Sequence, residues 1–580
     1  MCGIIGYIGK RNPVEILIEG LKKLEYRGYD SAGVALKGND IQVIKSVGKI
    51  SNLEDKLNKE TIIDSNIGIA HTRWATHGEP TEVNAHPHTI GKITLVHNGI
   101  IENAKELKEK LEKEGIKFNT STDTEVIAAL IDYYYKGNMK EAIEKAIKEL
   151  KGSYALAIIN KDEDKLYAVR CESPLLLGIG DNEYFVTSDI GAILPYTNKY
   201  VLLGENEIVT LTKENYIIEK DDTKVFRKVE VSNLSVEDTS LNGYDHYMMK
   251  EINEEPILVD NLVKKYINNT DKLPDLKKYK NIHIVGCGSA YYAGMIGKYL
   301  FEDDGIKVEC DVASEYRYRN IIYDKDTLVI LISQSGETAD TIAAMRKAND
   351  NNVDTLAIVN VEASTIEREC TYSVLIEAGK EIAVATTKAF ILQVLILSLL
   401  SYKLNPDDKY IEDIKKLPQQ LKVLLDKTGF YKKLADSIYK HDDVFFMGRK
   451  VDYAISMEGS LKLKEVSYIH SDSYQAGELK HGTISLVNEG TIVFAIVTDD
   501  EVRDKTISNL EEVISRGAKP IYVGNVDVNY EDKIIIPKVH KKLQPILAVP
   551  PLQMIAYYVA LKRGCDIDKP KNLAKSVTVE

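Results

Sequence analysis

The chain has 580 residues, 44% of them hydrophobic and 28% charged, with a formal net charge of -13. That length exceeds what one hydrophobic core supports, so roughly three or four domains are expected. The acidic balance argues against a nucleic-acid or anionic-membrane surface, because phosphate contacts need clustered Lys and Arg. The start, Met1 to Gly6, has no basic region ahead of its short apolar stretch, so no targeting segment is read. The longest apolar run, near Ala389 to Leu400, is interrupted by Gln393. It falls short of the ~18 residues of a membrane span and predicts a buried core helix. Six cysteines (Cys2, Cys171, Cys287, Cys310, Cys370 and Cys565) are scattered without a C-x-x-C pair. They predict a reduced, cytoplasmic setting. The 11 histidines lack metal-ligand spacing, so neither a metal nor an organic cofactor is expected.

In chain order, Ile67 to His71, Ile93 to His97 and Tyr154 to Ile159 read as strands, and Lys105 to Glu114 and Thr124 to Tyr135 as helices. Residues 1–220 form the expected first domain and the polar stretch 221–242 a linker. The remainder reads as a weak duplication over 243–420 and 421–565, with a tail at 566–580. In the first copy, Asn281 to Val285 leads through Gly286-Cys287-Gly288-Ser289 into a helix, Thr327 to Ile332 into a helix over Ser333 to Ala344, and Thr355 to Asn360 closes the unit. In the second, Asp443 to Met447 leads through Gly448-Arg449 into a helix, Thr491 to Val497 into a helix over Asp499 to Ile514, and Pro520 to Gly524 closes it. This alternation predicts two doubly wound parallel sheets, with ligands at the carboxyl ends of their strands.

Cys2 is the first candidate for chemistry. Removal of Met1 would leave its α-amino group, with a pKa near ~8, as a general base for its own thiol. Position alone favours an ordinary cysteine at a start site. Around it stand Cys2-Gly3-Ile4, Leu24-Glu25-Tyr26-Arg27-Gly28-Tyr29-Asp30-Ser31-Ala32-Gly33, His71-Thr72-Arg73-Trp74-Ala75-Thr76-His77-Gly78, His97-Asn98-Gly99 and Thr122-Asp123-Thr124-Glu125. In this order they resemble the class II glutamine amidotransferases, whose N-terminal-nucleophile domain is an αββα sandwich. The resemblance implies that Arg73 grips the glutamine α-carboxylate and Asp123 its α-ammonium. It makes Asn98 and the Gly99 N–H an oxyanion hole, lines the glutamine pocket with Thr76 and His77, and makes Trp74 a gate for ammonia. Read without it, Trp74 is core packing and Asn98-Gly99 a hairpin turn. His86 and His88, beside Pro87, read as structural.

In the second part, Ser333-Gln334-Ser335-Gly336-Glu337-Thr338 follows an apolar strand and opens a helix, where hydroxyls, backbone N–H groups and the helix dipole converge on an anion. Simple N-capping by serine is the plainer reading. A dinucleotide fingerprint fails, since Tyr291 stands where the third glycine belongs. With Cys287-Gly288-Ser289, Ala313 to Arg319, Glu458 to Glu465, Gly477-Glu478-Leu479-Lys480-His481-Gly482 and the closing Asn572 to Glu580, the segment resembles paired sugar isomerase domains. The full order is similar to that of the glucosamine-6-phosphate synthase family.

That resemblance covers essentially the whole chain. It implies an enzyme that makes glucosamine 6-phosphate and glutamate from fructose 6-phosphate and glutamine, opening amino-sugar biosynthesis, with ammonia channelled between sites. Ser289, Ser333, Gln334, Ser335, Thr338, Val384, Thr386 and Lys462 would hold the sugar phosphate. Glu465 would move the proton between C1 and C2. His481, donated across a homodimer, would help open the ring, and Lys575 would act at the C2 carbonyl. Without the resemblance, Lys462 and Glu465, three apart on a helix, read as an exposed ion pair. Thr386 stands where serine is usual and Thr483 where proline is usual. The alternatives are an asparagine-synthetase or phosphoribosyl amidotransferase, for which no partner-domain motif is present, an amidotransferase acting on another ketose phosphate, and a sugar-phosphate sensor.

Overall fold

The computed structural model describes residues 2–75, 78–232 and 240–577. The chain forms two compact units, the first built on residues up to Ser240 and the second spanning Leu241–Lys575.

In the first unit two antiparallel sheets, of eight and seven strands among the described residues, lie face to face. Ile4, Ile8, Ile69, Val96, Ala155, Ala157 and Val186 fill the layer between them. Helices Pro13–Leu24 and Ile50–Leu57 cover the outer face of the larger sheet, and Asp123–Tyr134 and Met139–Ile147 that of the smaller. The expected αββα sandwich is therefore present. The strand Gly3–Ile8 lies in the middle of the larger sheet, paired with Tyr184–Thr187 on one side and Ile67–Arg73 on the other. Cys2 thus enters the sandwich at the end of a central strand. Segment 221–232 is not free linker. Thr223–Lys224 pairs with Tyr216–Lys220, and Glu230–Val231 with Lys199–Leu202, because each completes the edge of a sheet.

In the second unit two five-stranded parallel sheets repeat the same order, the first strand of each lying second from one edge. Thr327–Ser333 and Ile492–Val497 are buried along their whole length. Strands covered on both faces read as unbroken apolar runs rather than alternating ones. One core cluster joins residues of both copies, so they pack as one body. The expected boundary at 420/421 falls inside the helix Leu417–Leu425. The apolar run near Ala389 is the buried helix Lys388–Leu404. Gln544–Arg563 is long and apolar enough to cross a membrane, but 94% of its apolar window is buried inside the structure.

Leu397 on the Lys388–Leu404 helix is fully buried. Leu397→Ala should destabilise the second unit by about 2–5 kcal/mol, read as a lowered urea midpoint. A loss below about 1 kcal/mol would show that this helix is not a rigid part of the core.

Candidate active sites

In the first unit the Cys2 Sγ accepts the Trp74 N–H at 3.3 Å. Burial pushes the thiol above its ordinary value, while the Trp74 amide and the Arg73 guanidinium pull the other way. Asn98 donates its amide N–H to the Cys2 carbonyl at 3.0 Å. Its Oδ1 lies 3.1 Å from the His71 Nε2. Burial drives His71 down to about 3, so the ring is neutral and Nε2 carries the proton donated to Asn98. That contact settles which way the Asn98 amide points and aims its nitrogen at Cys2.

The Asn98-Gly99 pair is not a hairpin. Strand Ile93–Ile101 runs straight through it, paired with Gly152–Asn160. Gly99 has φ of 133°, and a Cβ there would sit 2.0 Å from the Ser153 carbonyl. Arg73, almost fully buried, donates to the Gly78 and Glu79 carbonyls at 3.0 and 3.3 Å. Asp123 heads the Asp123–Tyr134 helix and accepts the Ile101 N–H at 2.9 Å. Trp74 is half-buried beside Cys2. Thr76 and His77 lie outside the described residues.

Two further supports surround this site. Asp30 accepts the Ala75 N–H at 2.8 Å and so fixes the turn that follows Trp74. His71, His86 and His88 form a run of ring contacts, with His71 stacked on His86 at 4.1 Å. Burial holds His86 and His88 well below their ordinary value, in keeping with a structural reading.

In the second unit the segment Ser333 to Thr338 is a tight loop rather than the start of a helix. The helix begins at Ala339, with Thr338 as its cap residue. The Ser333 hydroxyl accepts the Gly336 N–H at 3.0 Å and contacts the Thr338 hydroxyl at 3.0 Å. Ser335 accepts the Glu337 N–H at 3.1 Å. Gly336 has φ of 66°, and a Cβ there would strike the Ser364 hydroxyl. The Ser333 and Thr338 hydroxyls thereby lie side by side at a helix N-terminus.

Ser289, at the start of the Ser289–Asp303 helix, donates to the Glu458 Oε1 at 3.2 Å. Lys462 lies 3.5 Å from Glu458 and 2.5 Å from Glu465. This is not an exposed ion pair, because Lys462 and Glu458 are fully buried. Burial opposes the Lys462 charge, and the two carboxylates overcome it and hold the ammonium above its ordinary value. Burial lifts Glu458 to about 7 against the pull of Lys462. The charge of Glu381 also reaches Lys462, which joins this cluster to the one around Lys575. Lys575 bonds to Glu381 at 2.5 Å and lies 3.4 Å from the Thr386 hydroxyl. Val384 is tied to the tail through its N–H, given to the Asp568 carbonyl at 2.9 Å.

Ser289, Lys462, Glu465, Thr386 and Lys575 are thus drawn together from both copies of the repeat. His481 is not drawn in. It sits on an exposed turn, Leu479–His481, and among the described residues no side-chain bond links it to Lys462, Glu465 or Lys575. Glu458 and Glu381 are the members of the cluster to which the sequence assigned no part.

The arrangement can do two kinds of chemistry: a thiol beside an amide donor suits acyl transfer, and buried Lys–Glu pairs beside a hydroxyl-lined loop suit proton transfer on an anionic substrate. The description "glutamine amidotransferase domain" matches residues 71–195, and "SIS domain" matches twice, at 275–402 and 437–563. Fold and sites together define a glutamine amidotransferase fused to a doubled SIS unit. Glutamine–fructose-6-phosphate aminotransferases (isomerizing) from Clostridium tetani and Thermus thermophilus are 48% and 41% identical, over all of this chain and all of each relative. The solved C-terminal domain of glucosamine-fructose-6-phosphate aminotransferase from Francisella tularensis is 36% identical, with a TM-score of 0.54. It covers 57% of this chain and 100% of that one. The chain belongs to the glutamine–fructose-6-phosphate aminotransferase (isomerizing) family.

The raised carboxylates predict how stability varies with pH. Glu458 is lifted from 4.5 to about 7, so between those values the folded state binds a proton that the unfolded state has released. Stability present below about pH 4.5 is therefore lost as pH rises toward 7. Asp452, lifted to about 6, and Glu251, lifted to about 8, add slopes of the same sign. Glu458→Gln should flatten part of this fall in Tm, and an unchanged slope would place the Glu458 proton elsewhere.

Proposed function

We propose that the chain converts D-fructose 6-phosphate and L-glutamine to D-glucosamine 6-phosphate and L-glutamate. What carries this reading is the pairing of two constellations in one chain: Cys2 beside Asn98 in the first unit, and the Ser289–Glu458–Lys462–Glu465 cluster with Lys575 in the second.

In the glutaminase step Arg73 and Asp123 hold the α-carboxylate and α-ammonium of glutamine, with Thr76 and His77 completing the pocket. The Cys2 amino group, freed by removal of Met1, takes the thiol proton. The thiolate attacks the side-chain amide, and Asn98 with the Gly99 N–H stabilises the oxyanion. Ammonia leaves, Trp74 gates its passage, and water releases glutamate from the thioester.

In the synthase step Ser333, Gln334, Ser335 and Thr338 hold the phosphate, and Ser289, Val384, Thr386 and Lys462 the rest of the sugar. The partner subunit's His481 assists ring opening in a homodimer, which accounts for its exposure in the single chain. Lys575 acts at the C2 carbonyl, ammonia is added there, and Glu465 carries the proton between C2 and C1 as ketose becomes aldose. No metal or organic cofactor enters either step, and the chain works in the cytoplasm.

Mass-spectrometric identification of glucosamine 6-phosphate from glutamine and fructose 6-phosphate tests the whole reading. A different amino sugar, or none, would refute it. Cys2→Ala should abolish glutamine hydrolysis and leave conversion of fructose 6-phosphate to glucose 6-phosphate intact. Loss of both activities in a folded variant would contradict the division of labour. Protein shown by mass to retain Met1 should lack glutaminase activity, since its α-amino base is removed from Cys2. Full activity there would place the base elsewhere.

A further inference from the structure

Lys575 and Glu381 are both almost fully buried, and the lysine Nζ donates to the Glu381 Oε2 at 2.5 Å. The other carboxylate oxygen, Oε1, accepts the N–H groups of Thr387 at 3.0 Å and Ala389 at 3.1 Å, where the Lys388–Leu404 helix begins. Two backbone donors on one oxygen fix the plane of the carboxylate and leave Oε2 directed at the lysine. A second buried carboxylate, Glu251, accepts the N–H groups of the two residues that follow Glu381, Ile382 at 2.5 Å and Ala383 at 3.2 Å. Its other oxygen has no hydrogen-bond partner among the described residues. Burial and the nearby charge of Glu381 push Glu251 up to about 8, so at neutral pH it is mostly an uncharged acid. Burial works against the Glu381 charge as well, but Lys575 outweighs it and holds Glu381 below its ordinary value. Lys575 is the cation in contact with Glu381, and the charges of Lys388 and Lys462 reach the same carboxylate from further off.

An ammonium has no lone pair and cannot attack a carbonyl. Among the described residues Lys575 bonds to two side chains, Glu381 and Thr386, and a threonine hydroxyl is no base at neutral pH. We propose that Glu381 is the positioning residue of Lys575 and the acceptor of its proton, which makes the lysine a nucleophile toward the C2 ketone. The proposal rests on the reading that Lys575 meets that carbonyl. The ammonium passes one proton to the Glu381 Oε2, giving an amine and a carboxylic acid. The amine forms a C–N bond to C2, and its surplus proton moves to the former carbonyl oxygen, giving a neutral carbinolamine. Glu381 then returns its proton to that hydroxyl, water leaves, and a protonated imine remains beside a carboxylate. The net change is ammonium plus ketone to iminium plus water, with no other reactant consumed. Ammonia from the first unit then displaces the lysine from C2.

The test is borohydride trapping in the full chain with fructose 6-phosphate and no glutamine. Wild type should give a reduced sugar-phosphate adduct on the peptide that carries Lys575, and Lys575→Ala none. Glu381→Gln keeps size and a hydrogen-bond acceptor but takes no proton. It should lower both the trapping rate and the synthase kcat by about 10²–10⁴-fold, with KM for fructose 6-phosphate little changed. Glu381→Asp keeps a carboxylate one methylene further back and should fall between. Circular dichroism checks folding, and Glu381→Asp alone decides the matter should Glu381→Gln not fold. Trapping of a folded Glu381 variant at the wild-type rate, or a raised KM with unchanged kcat, would overturn the proposal and leave Lys575 its place at C2. Absence of any adduct in wild type would instead overturn the imine itself, and the proposal with it.

Discussion

Lys462 carries a full charge in a place without water, and the second unit is organised around meeting that charge. Glu458 lies one turn before it on the Val451–Ser467 helix and Glu465 three residues after, so one face of one helix supplies both counter-charges. Desolvating such a group costs several kcal/mol, and only close carboxylates repay it. Ser289, from the other copy of the repeat, then bonds Glu458. The requirement that a buried ion be paired thus ties the two copies together at the point where their strands end. Lys575, from the tail, and Glu381, from the loop that precedes the Lys388–Leu404 helix, repeat the solution.

The first unit solves a different problem, that of holding a weakly acidic thiol beside polar groups aimed in fixed directions. Its means are backbone bonds rather than ion pairs. The Trp74 N–H meets the sulfur, the Cys2 carbonyl meets Asn98, and Asp30 meets the Ala75 N–H. A neutral His71 completes the set, because a charged imidazole there would face Arg73 inside a dry core. Asn98 lies within the strand Ile93–Ile101 and Trp74 directly follows the strand Ile67–Arg73, so regular backbone holds both donors in place.

Much of this was legible in the sequence. The parallel strands stood out as apolar runs, and the Cys2, Arg73, Asn98 and Asp123 motifs stood in order. What was hidden depended on distance along the chain. Glu381 meets Lys575 across 194 positions, and Glu251 meets Ile382 across 131. Locally these glutamates look like ordinary solvated charge. The turn signal of Asn98-Gly99 misled because the strand Gly152–Asn160 pairs through it and overrides the local preference. The helix expected from Ser333 starts later because Ser333 spends its hydroxyl on the Gly336 N–H and closes a loop first. The start of His71-Thr72-Arg73 drew attention to Arg73, while the buried histidine beside it gave no periodic or charge signal.

The duplication also shows why one fold used twice need not give one site twice. The turn after the first strand has the same backbone in both copies, φ 55° and ψ -128° at Gly288, φ 51° and ψ -126° at Lys450. Two residues on, the copies diverge, with Ala290 in the first and Asp452 in the second. The Asp452 carboxylate is fully buried and accepts the N–H groups of Thr498 at 2.8 Å and Asp499 at 3.1 Å, together with the Thr498 hydroxyl. These are the donors that follow the third strand in chain order, Ile492–Val497, the place held in the first copy by Gln334 and Ser335. A carboxylate built into the chain thus occupies the donors that a substrate anion would need. Beyond it the cavity, of about 300 Å³, is lined by charges that pair internally, Lys450 with Asp499 and Glu501, Lys538 with Asp500, and Lys541 with Asp303. In the first copy no such carboxylate stands at the corresponding position, which is Ala290, whereas the second spends these donors on holding its own scaffold. The same helix that carries Asp452 also carries Glu458, which accepts the Ser289 hydroxyl of the first copy.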